Sequence, residues 1–575
     1  MQPKRWRVRP PAPESFINSL PPRILAQTLY NRGFSDPGAA RAFMEGAASL
    51  GSPFALADVH KAVPRIRAAI KRGEPVVVYG DFDVDGVTAT SLLTLALRRL
   101  GANVSAYIPD RLSEGYGLNS AALRRLADEG AKLVITVDCG IRSVAEVEDA
   151  NAAGLDMIIT DHHSIGPELP PAYAIINPKR ADSAYPYGDL CGVGVAYTLL
   201  RALLHKPGHS RVPPPFSAEE YLDLVAIGTV ADLVPLTGEN RRLVIDGLQA
   251  LNRAGRPGVR ALLQVAGIAP GACDAEGIGF GLGPRINAAG RLENARLAYA
   301  LLTAEDDVTA AELAEQLQKL NRERQDKTAQ MQAIAAEAAG IDDGAPPPLI
   351  FAVSPDFHQG IVGLVASRLT EQFYRPAVVV EQGEDTSHGS CRSIPEFHIT
   401  DALDACADLL VRHGGHAAAA GFTVRNAQIE ALNARLLEIA NAQLDGQDLK
   451  PVLDIDADEV GLDELSEALA EDLQRLEPTG IENPKPILAT RRVRVVSPRR
   501  VGRGEEENGG KHLAFRVWDG VKYCDAIFFR HGDLIEAISG REVDVAYNLQ
   551  INEWNGRRNV QLNIQDIHIT EGNLL

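Results

Sequence analysis

The chain has 575 residues, a length that predicts roughly three or four domains rather than one hydrophobic core. Its composition is typical of a soluble globular protein, and no apolar run is long enough to span a bilayer. The formal net charge of −18 argues against a protein that coats nucleic acid indiscriminately, although local basic patches remain compatible with it. The six cysteines form no CxxC pair, so we expect neither a zinc site nor a disulfide framework, and we expect a cytoplasmic location.

The first 300 residues predict an α/β domain behind a short accessory segment. Residues 1–50 combine Pro-Pro pairs with short helical patterns. From residue 51 to 303, apolar strand-like runs alternate with helical stretches of about ten residues or more, which predicts βαβ units and a parallel sheet. The predicted strands are Val76–Tyr79, Val104–Ile108, Leu133–Val137 and Met157–Thr160, and a helix is predicted from Val87 to Leu100.

Three aspartates follow the first predicted strand. In Gly80-Asp81-Phe82-Asp83-Val84-Asp85-Gly86 the carboxylates are spaced two residues apart. Negative charges at such short spacing repel one another. A divalent cation is the simplest way to keep them together at a strand end. Taken alone, an Asp-x-Asp pair could equally be a turn or helix-capping pair, so the prediction depends on companions elsewhere.

Such companions occur further along the chain. In open parallel sheets, ligands gather at the carboxyl ends of the strands. Acids and imidazoles directly follow two other predicted strands, and one more acid follows the apolar helical stretch Tyr221–Val230. We expect one histidine of the adjacent pair to bind metal and the other to point to substrate. These residues are Asp138, Asp161, His162, His163 and Asp232.

Carboxylates with one or two neutral imidazoles suit Mn²⁺ or Mg²⁺ better than iron or zinc. Two ions about 3.5–4 Å apart, bridged by one carboxylate, would activate water and stabilise both oxygens of an in-line displacement at phosphorus. The sequence therefore predicts phosphoester hydrolysis at a centre that holds two Mn²⁺ or Mg²⁺ ions.

A glycine-rich stretch, residues 279–291, contains Arg285 and Arg291. We predict a flexible loop whose guanidinium groups bind a phosphate or a nucleic-acid backbone. The alternative is that both arginines pair with surplus acids of this acidic protein. Residues 304–343 then predict a long connecting helix, because residues 304–339 contain neither glycine nor proline.

Residues 344–447 predict a second, smaller α/β domain. Its predicted strands, Leu349–Val353 and Ala377–Val380, surround a predicted helix, Val362–Gln372. The domain also contains Gly389-Ser390-Cys391-Arg392-Ser393 and His413-Gly414-Gly415-His416. For His416, packing and substrate contact are both compatible with its glycine-rich surroundings.

The C-terminal region, residues 448–575, predicts a small antiparallel barrel, because short alternating runs are separated by turn residues. An arginine run without acids suggests a groove for single-stranded nucleic acid, and aromatic residues nearby could stack on bases. The alternative is that these aromatic residues belong to the barrel core. The arginines are Arg491, Arg492, Arg494, Arg499 and Arg500, and the aromatic residues are Phe515, Trp518, Tyr523, Phe528 and Trp554.

Four of these motifs resemble those of a known family. In order and spacing, they resemble the motifs of the DHH phosphoesterase superfamily, and the region around Gly414-Gly415-His416 resembles its DHHA1 substrate-binding domain. With Glu114-Gly115-Tyr116-Gly117-Leu118, residues 284–291 and an OB-type C-terminal barrel, the chain is similar to the single-strand-specific exonucleases of that superfamily. The four motifs are Asp83-Val84-Asp85-Gly86, Val137-Asp138, Asp161-His162-His163 and Thr229-Val230-Ala231-Asp232.

The resemblance implies 5′→3′ hydrolysis of single-stranded DNA to 5′-mononucleotides in recombination and repair. It also implies a single-stranded-DNA-binding protein and a helicase as partners, and we expect a monomer. The implied catalytic residues are Asp83, Asp85, Asp138, His162, His163 and Asp232, of which all except His163 would also bind metal together with Asp81. The implied substrate-binding residues are Arg111, Arg285, Asn287, Arg291, Ser390, Arg392 and His416.

Within this set, Asp138 is implied as the bridging ligand, and His163 is implied to face the scissile phosphate. The chain departs from the family pattern at Tyr79, where many DHH proteins have a histidine. We expect Asp81 to substitute for that histidine.

Three other functions compete with this prediction. A sister DHH enzyme for oligoribonucleotides or small phosphoesters is typically shorter, so the basic barrel argues against it. Acids at every motif argue against a non-catalytic single-strand-binding relative. A nucleotide-binding oxidoreductase is disfavoured because no GxGxxG follows the first strand.

Overall fold

The computed structural model describes residues 4–111, 113–205, 214–341, 346–502, 510–554 and 556–570. The chain forms two compact units. One contains residues 48–447, and in the other residues 1–47 join residues 448–575. Every helix among the described residues is too short or too polar to cross a membrane.

The chain begins with one short strand and three helices, which belong to the second unit. They are β1 (Arg5–Val8), α1 (Glu14–Ser19), α2 (Arg23–Asn31) and α3 (Pro37–Met44).

The larger unit starts with alternating helices and strands, as the sequence predicts. These are α4 (Val59–Arg72), β2 (Pro75–Gly80), α5 (Val84–Arg99), β3 (Asn103–Tyr107), α6 (Ser120–Asp128), β4 (Leu133–Val137), α7 (Val144–Ala152), β5 (Asp156–Thr160) and β6 (Ala174–Ile176). The five strands form a parallel sheet in the order β3-β2-β4-β5-β6. The order reverses between β2 and β4, and this reversal creates the crevice where α/β sheets bind ligands.

Among the described residues, seven helices follow the sheet. They are α8 (Gly192–Leu204), α9 (Leu222–Ala231), α10 (Gly238–Asn252), α11 (Pro257–Val265), α12 (Gly283–Leu292), α13 (Arg296–Leu302) and α14 (Asp307–Ala338). The first of them, α8, packs against β4 and β5. The main core of the unit lies between strands β2 and β4 and helices α5, α8 and α9, where side chains such as Leu92, Leu199 and Ile227 are fully buried.

The same unit contains a second sheet. Its elements are β7 (Ile350–Ser354), α15 (Val362–Phe373), β8 (Ala377–Glu381), β9 (Thr386–Arg392), α16 (Ile399–Asp404), β10 (Leu410–His416), β11 (Ala419–Arg425) and α17 (Ile429–Leu444). The strand order is β10-β11-β9-β8-β7, and only β7 and β8 are parallel.

The smaller unit contains the predicted barrel. Its C-terminal elements are β12 (Val452–Ile455), α18 (Glu467–Gln474), β13 (Leu488–Val501), β14 (His512–Trp518), β15 (Tyr523–Phe528), α19 (Ile535–Ile538), β16 (Glu542–Trp554) and β17 (Arg557–Ile569). Five strands close the barrel in the order β13-β14-β15-β17-β16. The prediction of an antiparallel barrel is wrong for one pair, because β15 and β17 run parallel. The predicted fold class, two α/β domains joined by a long helix and followed by an OB-type barrel, is confirmed.

Two predicted elements differ in the structure. Helix α5 begins at Val84 rather than Val87, because the Asp83 carboxylate caps it by accepting a hydrogen bond from the Gly86 amide. The predicted flexible loop at residues 279–291 is helical: a π-helical turn, Gly277–Leu282, leads directly into α12. Glycine provides close packing here rather than flexibility, since a Cβ atom on Gly290 would lie 2.9 Å from the Phe82 carbonyl oxygen.

Candidate active site

The register of the parallel sheet brings three aspartates together. Gly80 pairs with Val137, and Val137 pairs with Thr160. The next residues, Asp81, Asp138 and Asp161, therefore lie at one edge of the sheet. All three are buried.

Helix α5 adds two more carboxylates at the same edge. Asp83 is its N-cap residue, and Asp85 lies in its first turn with a relative exposure of only 1%. The Asp85 carboxylate accepts hydrogen bonds from the amides of Gly192 (2.5 Å) and Val193 (2.8 Å). The N-terminus of α8 thus fixes the position of Asp85.

His162 lies at the centre of these acids. Its Nε2 atom is 3.1 Å from Asp138 Oδ1, 3.6 Å from Asp232 Oδ2 and 3.9 Å from Asp85 Oδ2. Ligand atoms within 4.8 Å of one another form three overlapping groups. We call their seven residues the acid–histidine cluster: Asp81, Asp83, Asp85, Asp138, His162, His163 and Asp232.

The cluster contains buried polar atoms that form no hydrogen bond with any described protein group. Asp81 Oδ1, Asp138 Oδ1 and both ring nitrogens of His162 are buried and form no hydrogen bond with a described residue, and the 3.1 Å approach of His162 Nε2 to Asp138 Oδ1 lacks hydrogen-bond geometry. Buried polar atoms in folded proteins nearly always have a partner. Free carboxylate oxygens beside an unpaired imidazole are the donors that Mn²⁺ or Mg²⁺ accepts, so the cluster fits a metal centre.

The electrostatics of the cluster lead to the same conclusion. Burial, followed by the charges of neighbouring carboxylates, raises the pKa of Asp81 and Asp138 well above the usual value. The same causes raise the pKa of Asp85 to about 7 and that of Asp232 to about 9. Burial, with the neighbouring His163, lowers the pKa of His162 to about 3. Without an added positive charge the acids retain protons, whereas His162 is neutral and available as a ligand.

Asp161 has a different role from the other acids, because it holds His163. Its carboxylate accepts hydrogen bonds from the amides of Ile141, His162 and His163, and Oδ1 is 2.8 Å from His163 Nδ1. Burial alone would raise the pKa of Asp161, but its bonds to His163 lower it. The same pair raises the pKa of His163 against the effect of burial. His163 is therefore protonated more readily than an ordinary histidine.

A cavity of about 430 Å³ is lined by residues from both sheet domains of this unit. We call it the arginine cavity. None of its lining residues in the described part of the chain is acidic, and none of its guanidinium groups forms an ion pair with a described carboxylate. The charged and polar side chains that line it are Arg111, Arg291, Gln359, His388, Ser390, Arg392, Arg412, His413 and Thr423.

The arginine cavity adjoins the acid–histidine cluster. Arg111 packs over the Phe82 ring at 4.8 Å, and its charge acts on Asp81 and Asp83. Burial, with the charges of Arg111, Arg324 and Arg392, lowers the pKa of Arg291 to about 9. Guanidinium groups that repel one another next to an acidic cluster form a site for an anion that bridges both.

Four predicted substrate-binding residues, Arg111, Arg291, Ser390 and Arg392, thus line one cavity, and three others do not. Arg285 binds Gln318 and the carbonyl oxygens of Gly281 and Val265, so it stabilises the start of α12. Asn287 and His416 are not among the residues that line the cavity.

The basic barrel surface is smaller than the sequence predicts. Arg491 pairs with Asp458 (2.7 Å) and Asp544 (3.0 Å), so it stabilises the barrel instead of facing solvent as a free cation. Phe515 and Phe528 belong to the core. The prediction for the Trp554 side chain lies outside the described residues. Exposed groups of this surface are Arg492, Arg494, Arg499, Arg500 and Tyr523.

Sequence reasoning missed the contribution of α8. Its first residues, Gly192 and Val193, hold Asp85, and a Cβ atom on Gly192 would lie 2.6 Å from the Cβ of Asp138. The signal was present in Cys191-Gly192-Val193-Gly194, a glycine pair that opens an apolar helical stretch.

Family models match three parts of the chain. The DHH family, N-terminal domain, matches residues 75–229, the DHHA1 domain matches residues 347–444, and the RecJ OB domain matches residues 455–566.

Individual relatives match nearly the whole chain. The single-stranded-DNA-specific exonuclease RecJ of Bacillus subtilis is 38% identical over 99% of this chain and 71% of its own length. The protein of that name from Dickeya dadantii is 38% identical over 98% of both chains. The crystal structure of RecJ in complex with Mn²⁺ from Thermus thermophilus has a TM-score of 0.82 at 32% identity, covering 99% of this chain and 80% of that one. The chain therefore belongs to the RecJ family of DHH proteins.

Proposed function

We propose that this protein is a Mn²⁺- or Mg²⁺-dependent exonuclease that hydrolyses single-stranded DNA in the 5′→3′ direction to 5′-mononucleotides. The observation that carries the proposal is the position of an acid-free arginine cavity beside a buried acid–histidine cluster. An anionic strand end and a scissile phosphodiester need these two environments next to each other. Single-stranded DNA is the proposed substrate because the relatives are named single-stranded-DNA-specific exonucleases.

The metal ligands in this proposal lie just after β2, at the start of α5, and just after β4, β5 and α9. Bound Mn²⁺ or Mg²⁺ supplies positive charge at the phosphoryl oxygens and lowers the pKa of water. Asp138 and His162 each belong to two of the three ligand groups, and Asp138 is the proposed bridging ligand because a carboxylate, unlike a neutral imidazole, has two oxygens that could each contact an ion. The ligands are Asp81, Asp83, Asp85, Asp138, His162 and Asp232.

His163 carries the proton in the proposed mechanism. Asp161 accepts a hydrogen bond from Nδ1, which orients the ring and leaves Nε2 for the scissile phosphate. A protonated imidazole there would stabilise negative charge that develops on the phosphoryl oxygens. Tyr116, whose hydroxyl lies 3.4 Å from the ring, packs beside it.

The arginine cavity positions the strand. Arg111, Arg291, Ser390 and Arg392 would hold the terminal 5′-phosphate, and the next phosphodiester would then lie over the acid–histidine cluster. Binding the end in this way explains cleavage of the first linkage rather than an internal one. The barrel would retain the rest of a long strand by charge and base stacking.

An exonuclease of this kind also implies a cellular location, an oligomeric state and protein partners. We propose a cytoplasmic monomer that acts in recombination and repair, on strands delivered by a helicase and covered by a single-stranded-DNA-binding protein.

The proposal is tested by digesting 5′- and 3′-labelled single strands, the matched duplex and a dinucleotide, with Mn²⁺, Mg²⁺ or chelator. We expect immediate release of the 5′ label as mononucleotide, gradual shortening of the 3′-labelled strand, and no digestion of blunt duplex or with chelator. Equal cleavage of the dinucleotide and the long strand would instead indicate a small-phosphoester enzyme. Release of the 3′ label first would contradict the proposed polarity.

A further inference from the structure

The arginine cavity is larger than one terminal phosphate requires. Its volume is about 430 Å³, whereas a water molecule occupies about 30 Å³ in the liquid and a phosphate group contains only five heavy atoms. Part of the cavity therefore has no occupant in the proposed function, on which the present inference rests.

The part of the cavity that a terminal phosphate would not fill lies along the second sheet. On β9, Arg392, Ser390 and His388 alternate along one face, so each step between them is about 7 Å. The register places Thr423 opposite both His388 and Arg412. We call His388, Thr423 and Arg412 the polar row. It crosses three strands, one step beyond Ser390.

Between Ser390 on β9 and Gly414 on β10, the cavity-facing side of the sheet has no side chain. Gly421 lies opposite both Ser390 and Gly414, so no side chain covers this part of the sheet. All three residues line the cavity. An anion bound at Ser390 and Arg392 can therefore extend over the two glycines toward the polar row.

The polar row offers donors and positive charge. Arg412 Nε binds Thr423 Oγ1 at 3.1 Å, and Thr423 Oγ1 is 3.3 Å from His388 Nδ1. The terminal nitrogens of Arg412 form no hydrogen bond or ion pair with a described residue, so they remain for a ligand. Together with Arg111, Arg291 and Arg392, they give the cavity four guanidinium groups. A single phosphate monoester carries only about −1.5 to −2 charges at pH 7.

The strand itself does not extend in this direction. If the enzyme cleaves the first linkage, the terminal nucleotide lies between the arginine cavity and the acid–histidine cluster, and the rest of the strand lies beyond the cluster. Only groups attached to the terminal phosphate can reach the polar row.

We propose that the polar row binds the outer phosphates of a 5′-polyphosphate, so that the enzyme accepts strands with a triphosphate end. In the reaction, a water oxygen bonds to the phosphorus of the first internucleotide linkage and the P–O3′ bond breaks. The departing 3′-oxygen receives a proton. The products are a nucleoside 5′-triphosphate and a strand shortened by one nucleotide with a 5′-phosphate.

The test compares synthetic strands of one sequence that carry a 5′-monophosphate or a 5′-triphosphate. We expect the wild-type enzyme to cleave both and to release the first nucleotide of the second as its triphosphate. In Arg412→Gln, the ratio of kcat/KM for the triphosphate strand to that for the monophosphate strand should fall about tenfold. Arg425→Gln is the matched control, because Arg425 is an exposed arginine on β11 outside the cavity, and it should leave the ratio unchanged.

Resistance of the triphosphate strand under conditions in which the monophosphate strand is cleaved, or an equal ratio in wild type and Arg412→Gln, would overturn the inference. Binding of inorganic tripolyphosphate without metal provides a second measurement that does not need catalysis. Tighter binding of tripolyphosphate than of phosphate, lost in Arg412→Gln, supports the polar row even if neither strand is hydrolysed, and that result would refute only the proposed function.

Discussion

At the scale of single residues, the molecule keeps several acids where water cannot stabilise their charges. Asp81, Asp85 and Asp138 are buried together at one edge of a sheet, and the two backbone amides that bind Asp85 compensate part of its charge. An isolated buried charge is so costly that a group retains its proton instead. In the absence of a divalent cation, these carboxyl groups therefore retain protons, and a cation that binds them would displace those protons.

This arrangement predicts an unusual dependence of stability on pH. In chelator, Asp85 and Asp232 have a pKa of about 7 and about 9 in the folded protein, against about 3.9 when unfolded. The folded state binds more protons, so the stabilisation is complete below about pH 4 and is lost as the pH rises through 7 and then 9. We expect the Tm in chelator to fall by about 5–10 °C between pH 6 and pH 9, measured by differential scanning fluorimetry.

Two comparisons sharpen this measurement. Asp232→Asn should flatten the fall, because the substituted amide does not titrate. Mn²⁺ should raise the Tm more at pH 8 than at pH 6, since its ligands must lose their protons to bind it. A Tm in chelator that is constant or rises over this range would contradict the assignment of the raised pKa values.

The two arginines of α12 provide a matched pair. Arg291 lines the arginine cavity, whereas Arg285 is bonded to Gln318 and to backbone carbonyl groups. We expect Arg291→Gln to raise KM for a 5′-phosphorylated strand about 30-fold or more, because the terminal phosphate loses a partly buried cation. Arg285→Gln should change KM less than about twofold and lower the Tm by about 2–4 °C.

Steady-state kinetics on phosphorylated and hydroxyl-ended strands measure the first effect, and thermal unfolding measures the second. The hydroxyl-ended strand should respond little to Arg291→Gln. An equal loss for both strands would show that Arg291 does not contact the terminal phosphate.

At the scale of secondary-structure elements, the cluster depends on how strand ends meet a helix N-terminus. The strands supply Asp81 and Asp138, and α8 approaches so closely that a Cβ atom on its first residue, Gly192, would press on Asp138. The approach allows the Gly192 and Val193 amides to bind Asp85. Positive partial charge at this helix end also favours the carboxylate.

Gly192→Ala tests the importance of this contact. Its Cβ atom would lie 2.6 Å from the Cβ of Asp138 and displace that carboxylate. We expect Mn²⁺ affinity, measured by isothermal titration, to fall about 10–100-fold while the fold is retained. Gly194→Ala is the control in the same helix, because its Cβ would meet nothing closer than Leu190 at 3.4 Å. Equal affinities of the two variants would refute the role given to α8.

Elements with a local signal were predictable, and elements that depend on distant partners were not. The apolar runs of β2, β4 and β5 and the acids behind them were visible because parallel sheets gather such residues at one edge. Helix α12 was missed because its glycines and Pro284 resemble a loop, whereas tertiary packing against the Phe82 carbonyl makes glycine necessary there. The free charge expected for Arg491 is neutralised by Asp458 and Asp544, from segments distant in sequence.

At the scale of the whole molecule, the described N-terminal segment folds together with the C-terminal region. Strand β1 pairs in parallel with β12, and Trp6 donates a hydrogen bond to Asp566 and stacks on His568. Phe16, Leu25 and Leu29 belong to the same core cluster as the barrel strands. The N-terminal segment is therefore part of the barrel unit, a pairing that local sequence patterns could not predict.

This division determines which truncation is informative. Residues 48–447 form a unit with their own core and contain both the cluster and the cavity. We expect this fragment to fold, to cleave short strands, and to bind long strands at least about tenfold more weakly with less dependence on salt. Fragment 1–447 should aggregate, because Phe16, Leu25 and Leu29 lose their partners.

Circular dichroism, size-exclusion chromatography and binding at two salt concentrations distinguish these outcomes. A folded but inactive 48–447 fragment would show that the barrel unit contributes to the chemistry itself.

The measurement that tests the account most directly compares Mn²⁺ binding with hydrolysis in the wild type and Asp138→Asn. Asp138 belongs to two of the three ligand groups and lies 3.1 Å from His162. We predict two bound ions in the wild type, a weakened or absent second ion in Asp138→Asn, and a loss of hydrolysis on the order of 10³-fold, while single-strand binding persists. Undiminished hydrolysis by Asp138→Asn, or by the wild type in chelator, would contradict the conclusion that the acid–histidine cluster is the metal centre of the reaction.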